Sequence, residues 1–403
     1  MNRIAFFVLT WIITYTHAQT LVWSGKCHSQ QRETYGVAFS PDGQHVVSGS
    51  ECHPASVRLW NAANGNLIWD YNVGNVLMCQ MGVKMSASGN YICSMEEAGN
   101  LIVLQNNGSS PQLLYTLNVG SGGSHSVDIS PDEKWVVVDG NNNKAKIYRI
   151  SDGALHKTLS GHTGDVVTVC FSPDGSKLVT GSADNTAKLW DTTGALLHTF
   201  PSLGSKVVSA RFSADGSKVV LASLNGKIVV YNMTSFAQLT TFQCPEKVNQ
   251  ISVSSDGNLL VAACDTSARC FLISSGQNIA TFNTPNGGKV YSVDIAPNLP
   301  RAVIGNSNGD VAVYDLGSIT GTTGLTPEQV VIYPNPTRDY LQIGGISDEF
   351  TYGITRADGS LIRQGRTFGN TAIDLSGMHA GVYQVNIISR SNSVTKTFVI
   401  LTQ

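Results

Sequence analysis

The sequence predicts an all-β chain, a seven-bladed β-propeller followed by a small C-terminal β-sandwich of Ig-like type. Three observations predict this fold. A short turn string, centred on serine in six of its seven copies, recurs along the chain. Each recurrence sits among four short runs of β-branched and aromatic residues. The 74 residues from Val330 to Gln403 keep the strand pattern but lose the period.

Asn2 and Arg3 precede an apolar run from Ile4 to Ile13, and Thr16-His17-Ala18 places small residues where a signal peptidase reads. Residues 1–18 are therefore expected to be a cleaved signal peptide. The run is shorter than the ~20 residues that span a bilayer, and no later segment approaches that length. A lipid anchor needs a Cys directly after small residues, whereas Cys27 follows Lys26. The mature chain, without a transmembrane segment, is thus expected to meet an oxidising compartment, which invites a disulfide reading of its eight Cys. Of the 403 residues 13% are charged, with a net charge of −2, against a usual ~25%. Such a surface has no basic field to neutralise phosphates, so no nucleic acid partner is expected. A hydrophobic content of 42% excludes intrinsic disorder.

The repeat begins after this segment. FSPDG at Phe39 to Gly43, MSASG at Met85 to Gly89, ISPDE at Ile129 to Glu133 and FSPDG at Phe171 to Gly175 share one pattern. FSADG at Phe212 to Gly216, VSSDG at Val253 to Gly257 and IAPNL at Ile295 to Leu299 continue it. The second residues of these strings are spaced by 46, 44, 42, 41, 41 and 42 positions. Three β-rich runs around polar turns make up each unit, and a fourth run precedes it, as at Leu67 to Tyr71 or Gln238 to Phe242. Four short strands per ~42 residues is the pattern of a propeller blade.

One unit is more specific. His156 to Asp191 reads HKTLSGHTGDVVTVCFSPDGSKLVTGSADNTAKLWD, which resembles a WD repeat over its full length. The slot of the family's Trp-Asp pair reads Trp60-Asn61, Leu104-Gln105, Tyr148-Arg149, Trp190-Asp191, Tyr231-Asn232, Phe271-Leu272 and Tyr314-Asp315, bulky in every copy. The resemblance implies a structural hydrogen-bonded tetrad, which only the fourth unit keeps, as His162, Thr180 or Ser182, Asp184 and Trp190. No strand follows the seventh unit before a Gly/Thr-rich stretch, while Leu21-Val22-Trp23 stands before the first. The N-terminal strand is expected to complete the last blade and remove an exposed edge.

The propeller is therefore expected over residues 19–316, a linker over 317–329 and the sandwich over 330–403. In the last, Tyr333-Pro334-Asn335-Pro336-Thr337 is followed by Asp339, Asp358-Gly359, Ile373-Asp374-Leu375 and Gly381-Val382-Tyr383. This series resembles the C-terminal sorting domain of type IX secretion substrates in Bacteroidetes, with Tyr333, Pro334, Asn335, Pro336, Gly381 and Tyr383 as the sorting motif. The resemblance implies a partner in the type IX machinery and a secreted or outer-surface location on a Gram-negative cell, reached through the periplasm.

No HExxH, GxSxG, P-loop or CxxC spacing occurs, so no metal, cofactor or catalytic residue is expected. Five positions before each anchor serine or its equivalent stand Tyr35, Met81, His125, Val167, Val208, Asn249 and Tyr291, expected near one mouth of the channel. Tyr35, His125 and Tyr291 form the candidate ligand surface, with His53, Glu96 and Glu97 from neighbouring turns. Two disulfides are expected from the tetrad resemblance. Cys27 pairs with Cys52, and Cys244, aligned with His162, pairs with Cys264, aligned with Ala183; Cys93 and Cys170 are read as buried thiols. The expected function is a secreted or cell-surface scaffold that holds a protein or glycan partner. The alternative is an extracellular polysaccharide hydrolase or lyase using Glu96, Glu97, Asp128, His125 and Asp294.

Overall fold

The structure is a computed structural model that describes residues 20–26, 33–50, 56–72, 80–120, 126–140, 142–316, 331–333, 337, 340–344, 349–356, 360–368, 372–389 and 392–400. The expected signal peptide and linker, His53, His125, Cys27, Cys52 and Pro334 to Pro336 lie outside these residues. The chain divides into two compact units, Met1–Ile319 and Thr320–Gln403. The first holds seven four-stranded antiparallel sheets and the second holds sheets of three and four strands.

Each blade is built around the repeated turn. In the first, the strands run Thr34–Phe39, His45–Ser50, Ser56–Asn61 and Leu67–Asn72 from inside to outside. Ser40 Oγ accepts the amide of His45 at 2.9 Å, and Asp42 accepts that of Gln44 at 2.9 Å. Two short polar side chains thus satisfy the amides that the reversal frees, which is why the string recurs. Ser172, Ser213 and Ser254 repeat the serine bond to Lys177, Lys218 and Leu259. In the third blade Glu133 takes the left-handed position at φ 59°, where five other units have Gly. Its carboxylate compensates by accepting from the Ser88 hydroxyl of the second blade at 2.9 Å.

The core lies between blades. Seven clusters of buried side chains each join one blade to the next. The bulky third-strand residues Trp60, Leu104, Tyr148, Trp190, Tyr231, Phe271 and Tyr314 are all buried, each in the cluster shared with the preceding blade. At four junctions an aromatic from the preceding outer strand stacks or tilts against that residue. The pairs are Phe200 with Tyr231 at 4.9 Å, Phe242 with Phe271 at 5.2 Å, Phe282 with Tyr314 at 5.3 Å and Trp23 with Trp60 at 6.1 Å. Aromatic contact adds a directional term to area burial there.

Trp23 belongs to the closing strand. Thr20–Lys26 pairs antiparallel with Asp310–Asp315, from Thr20 opposite Asp315 to Lys26 opposite Asp310. It carries a one-residue bulge at Val22, as the other outer strands do at equivalent places such as Ile68 and Leu239. Trp23 is 8% exposed, its indole N–H donates to Ala62 O at 2.9 Å, and Gly65 lies so close that a Cβ there would meet the ring at 2.7 Å. Lys26 adds an ion pair of 2.8 Å to Asp310, itself 2% exposed. One segment therefore completes the seventh sheet and packs against the first blade.

In the second unit, Val331–Tyr333, Tyr340–Gly344 and Ala372–Asp374 form one sheet. Glu349–Arg356, Leu361–Phe368, Gly381–Ser389 and Asn392–Ile400 form the other. Leu341, Ile343 and Ile373 of the first sheet and Phe350, Ile354, Tyr383, Val385 and Ile387 of the second share one core. This is the face-to-face packing of a sandwich.

Deletion of residues 19–26 is expected to abolish cooperative melting or to drive the chain into oligomers on size exclusion. Trp23→Ala is expected to cost about 3–5 kcal/mol in a denaturant titration. A monomer with an unchanged melt after the deletion contradicts closure by this strand.

Candidate functional site

The inner strands of six blades each bulge by one residue near their start, and in the third blade the corresponding residue, His125, lies outside the described residues. The extra residues are Tyr35, Met81, Val167, Val208, Asn249 and Tyr291, the positions counted five before the anchors. A bulge unpairs its residue and re-aims its side chain. Tyr35, Val167, Val208, Asn249 and Tyr291 accordingly line one cavity of about 360 Å³ within the ring of inner strands. The Tyr35 and Tyr291 rings stack at 4.8 Å, and both hydroxyls donate to the carboxylate of Glu33. Tyr291 and Glu33 also border an open groove of about 540 Å³ with Asp265, Thr266, Gly288, Lys289 and Ser307. A braced aromatic pair beside mixed charges suits contact with another macromolecule.

Deeper in the cavity stands a second ring, two residues before each anchor. It contributes Ala38, Lys84, Asp128, Cys170, Arg211 and Asp294 to the lining. Lys84 Nζ lies 3.8 Å from Asp128 Oδ1 and the lysine side chain is 40% exposed to the channel. Burial lowers the Lys84 pKa, but Asp128 and Asp294 outweigh it and hold the value above its ordinary one. Both acids also join blades. Asp128 Oδ2 accepts the Phe171 amide at 2.8 Å, and Asp294 accepts the Phe39 amide at 2.9 Å and the Ser252 hydroxyl at 2.8 Å. Sequence reasoning missed Glu33, Lys84 and Arg211. The signal for the last two was available as charges at a fixed offset inside apolar inner strands.

The other ligand candidates fall elsewhere. Glu96 is buried at the end of its blade's second strand and accepts from Asn100 Nδ2 at 2.8 Å. It occupies the slot that holds Ser50, Ser182, Ser223 and Asn306 in other blades, each closing a second strand. Glu97 is exposed in the adjoining turn. Neither lines the cavity. Among the described residues no three His, Cys, Asp or Glu groups gather as a metal site.

The tetrad of the fourth blade is closed. His162 Nδ1 lies 2.8 Å from Asp184 and Nε2 lies 2.8 Å from Thr180 Oγ1, which also accepts the Trp190 indole N–H at 2.9 Å. Thr180 is thus the strand hydroxyl. Ser182 instead donates to Gly164 O and accepts the Asp184 amide. Burial lowers the His162 pKa against the opposing pull of Asp184, so the ring is neutral. Asp184 is desolvated too, but donors from Thr186, Thr163 and His162 take it down to about 2. In the sixth blade Cys244 Sγ lies 2.8 Å from Cys264 Sγ, both as thiols. The strand register sets Cys264 opposite Val248 as Ser182 is set opposite Val166, one residue before the place expected from alignment with Ala183. Cys93 is buried, whereas Cys170 is only partly so.

Of the sorting motif, Tyr333 ends the first strand of the sandwich opposite Gln342, and Gly381 opens a strand of the second sheet. Tyr383 is buried and its hydroxyl donates to His379 O at 2.8 Å.

Residues 19–61, 153–191 and 236–271 match the family described as WD domain, G-beta repeat. Residues 331–401 match the secretion system C-terminal sorting domain. The propeller thus carries WD repeats in three of its segments, and the C-terminal unit is a secretion-system sorting domain. The sorting domain marks export by type IX secretion to the cell surface or the extracellular space. Among relatives, the target of rapamycin complex subunit LST8 of Bos taurus is 26% identical over 187 residues, 42% of this chain and 53% of that protein. Protein groucho of Drosophila melanogaster is 28% identical over 27% of this chain and 15% of its own length. A WD repeat-containing protein of a Synechocystis strain is 40% identical over 18% of this chain and 21% of its own. The chain thus spans about half of one relative's length and much less of the others.

The tetrad yields a pH test. Because the folded state holds His162 neutral, the unfolded chain binds more protons below about pH 6.5. This part of the stability is present above that pH and is lost as pH falls. The Asp184 part is present above its unfolded value of 3.8 and is lost as pH falls towards about 2. Between pH 7.5 and 5.5 the melting temperature of the wild type should fall further than that of His162→Gln. Thr180→Val, which strands the Trp190 N–H, should cost about 1–3 kcal/mol in a denaturant titration.

Proposed function

We propose that this exported WD-repeat protein is a non-catalytic scaffold whose propeller, residues 19–316, holds a protein partner at the mouth formed by the first, sixth and seventh blades. Residues 330–403 act as its export address. The observation that carries the reading is the stacked pair Tyr35 and Tyr291, braced by Glu33 at the rim of the cavity and continuous with the Asp265 to Ser307 groove. Rigid aromatics beside a polar rim are the usual anchors of protein interfaces. Family likeness supports the same class, since the named LST8 relative is a subunit of a complex.

An enzymatic reading needs carboxylates presented to a substrate. Asp128 and Asp294 are instead engaged by amides of the next blade, and Glu96 is buried against Asn100. The His162 group is likewise turned to its own blade.

The full chain should bind one or more extracellular proteins saturably in a screen that also includes polysaccharides and product analysis. Tyr291→Ala and Tyr35→Ala should each weaken that binding about tenfold or more while the melting curve is kept. New products from a polysaccharide would overturn the scaffold reading, and saturable glycan binding without protein binding would overturn the partner class.

A further inference from the structure

Two buried sulfurs meet where the fifth blade passes into the sixth. Cys244 follows the outer strand Gln238–Gln243 and is anchored by its amide to Gly226 O at 2.8 Å. Cys264 closes the second strand of the next blade, Leu259–Cys264. Their exposures are 1% and 0%, and they share a core cluster with Val220, Val230, Val248 and Leu260. The same two places in the fourth blade hold His162 and Ser182, whose polar groups fasten the connection between blades. Thiols are weak donors and acceptors and cannot do this equally well. At 2.8 Å the two sulfurs stand nearer than a thiol hydrogen bond requires.

We propose that Cys244 and Cys264 are joined by a disulfide in the exported protein, a covalent clamp in place of the tetrad. Both sulfurs are shielded once the blades dock, so the bond forms as the chain folds in the oxidising compartment that export implies. The oxidant is the disulfide of a thiol–disulfide oxidoreductase. The thiolate of one cysteine attacks a donor sulfur, giving a mixed disulfide and releasing the first donor thiolate. The thiolate of the other attacks the protein-side sulfur of that bond, forming the Cys244–Cys264 bond and releasing the second donor thiolate. The pair loses two electrons, the donor gains them, and the two cysteine protons end on the donor's two thiols. Cys270 is buried in a different cluster, shared with the seventh blade, and Cys93 and Cys170 belong to other blades.

The test uses the full chain recovered from the cell surface or medium, denatured and alkylated without reductant, then digested with trypsin. Cleavage after Lys227, Lys247, Arg269 and Lys289 puts Cys244, Cys264 and Cys270 on three separate peptides. Peptides 228–247 and 248–269 are expected as one linked species that reduction splits. Alkylation of both cysteines, or Cys244 linked to any other cysteine, overturns the proposal. Cys264→Ser gives the sixth blade the residue that the fourth carries in this slot. Reduction should lower the wild-type melting temperature by roughly 5 °C or more beyond its effect on this variant. An equal effect on both would contradict the clamp.

Discussion

The pairing of Thr20–Lys26 with Asp310–Asp315 is the constraint on which the rest depends. A ring of sheets that stack side by side ends in two unmatched surfaces unless its last member meets its first. Here the propeller joins its first and last strands in one sheet and seats Trp23 against Trp60, Ala62 and Gly65 of the first blade. Without that strand the third strand of the seventh blade would be an open edge. The cluster holding Val37, Phe39 and Val303 would also lose one of its two tryptophans. The contact that completes one sheet is the one that makes seven interfaces of six.

Closure also explains how the blades tolerate such different polar chemistry. One blade carries the full His162, Thr180, Asp184 and Trp190 network. The first keeps a Trp60 indole bond to Ser48 at 2.8 Å. The sixth holds its turn with Glu246, which accepts from Thr266 and Arg269, and the seventh uses Asn306 with Asp310. What is common to all seven is a bulky third-strand residue buried against the preceding blade. Apolar packing between blades is therefore the shared requirement, and the polar groups only need to satisfy each turn locally.

Much of the fold was legible because the cause of each turn is written in adjacent residues. A serine two residues before an acid or a small residue, closed by glycine, specifies the reversal wherever it stands. Counting from that anchor also located Tyr35 and Tyr291, since the bulge keeps the same offset in the first and seventh blades. Roles that depend on the neighbouring blade were not legible. The partner of Asp294 is the amide of Phe39, 255 residues away, and nothing near Asp294 hints at it. Glu96 reads as an exposed turn acid beside Glu97, yet the strand extends one residue further and buries it. The placement of Cys264 slipped by one residue for a similar reason, because alignment across a turn is weaker than strand register.

The proposed docking face depends on the same closure, since Tyr35 and Glu33 stand in the first blade and Tyr291 in the seventh, on either side of the seam. Hydrogen–deuterium exchange on the full chain tests this account most directly. The account predicts that amides of Asp310–Asp315 are as slow as those of Ala187–Asp191 in the fourth blade, and that both open together as denaturant is added. Fast exchange at Asp310–Asp315 while Ala187–Asp191 stays protected would mean that the seam is open and that the N-terminal strand does not hold the ring.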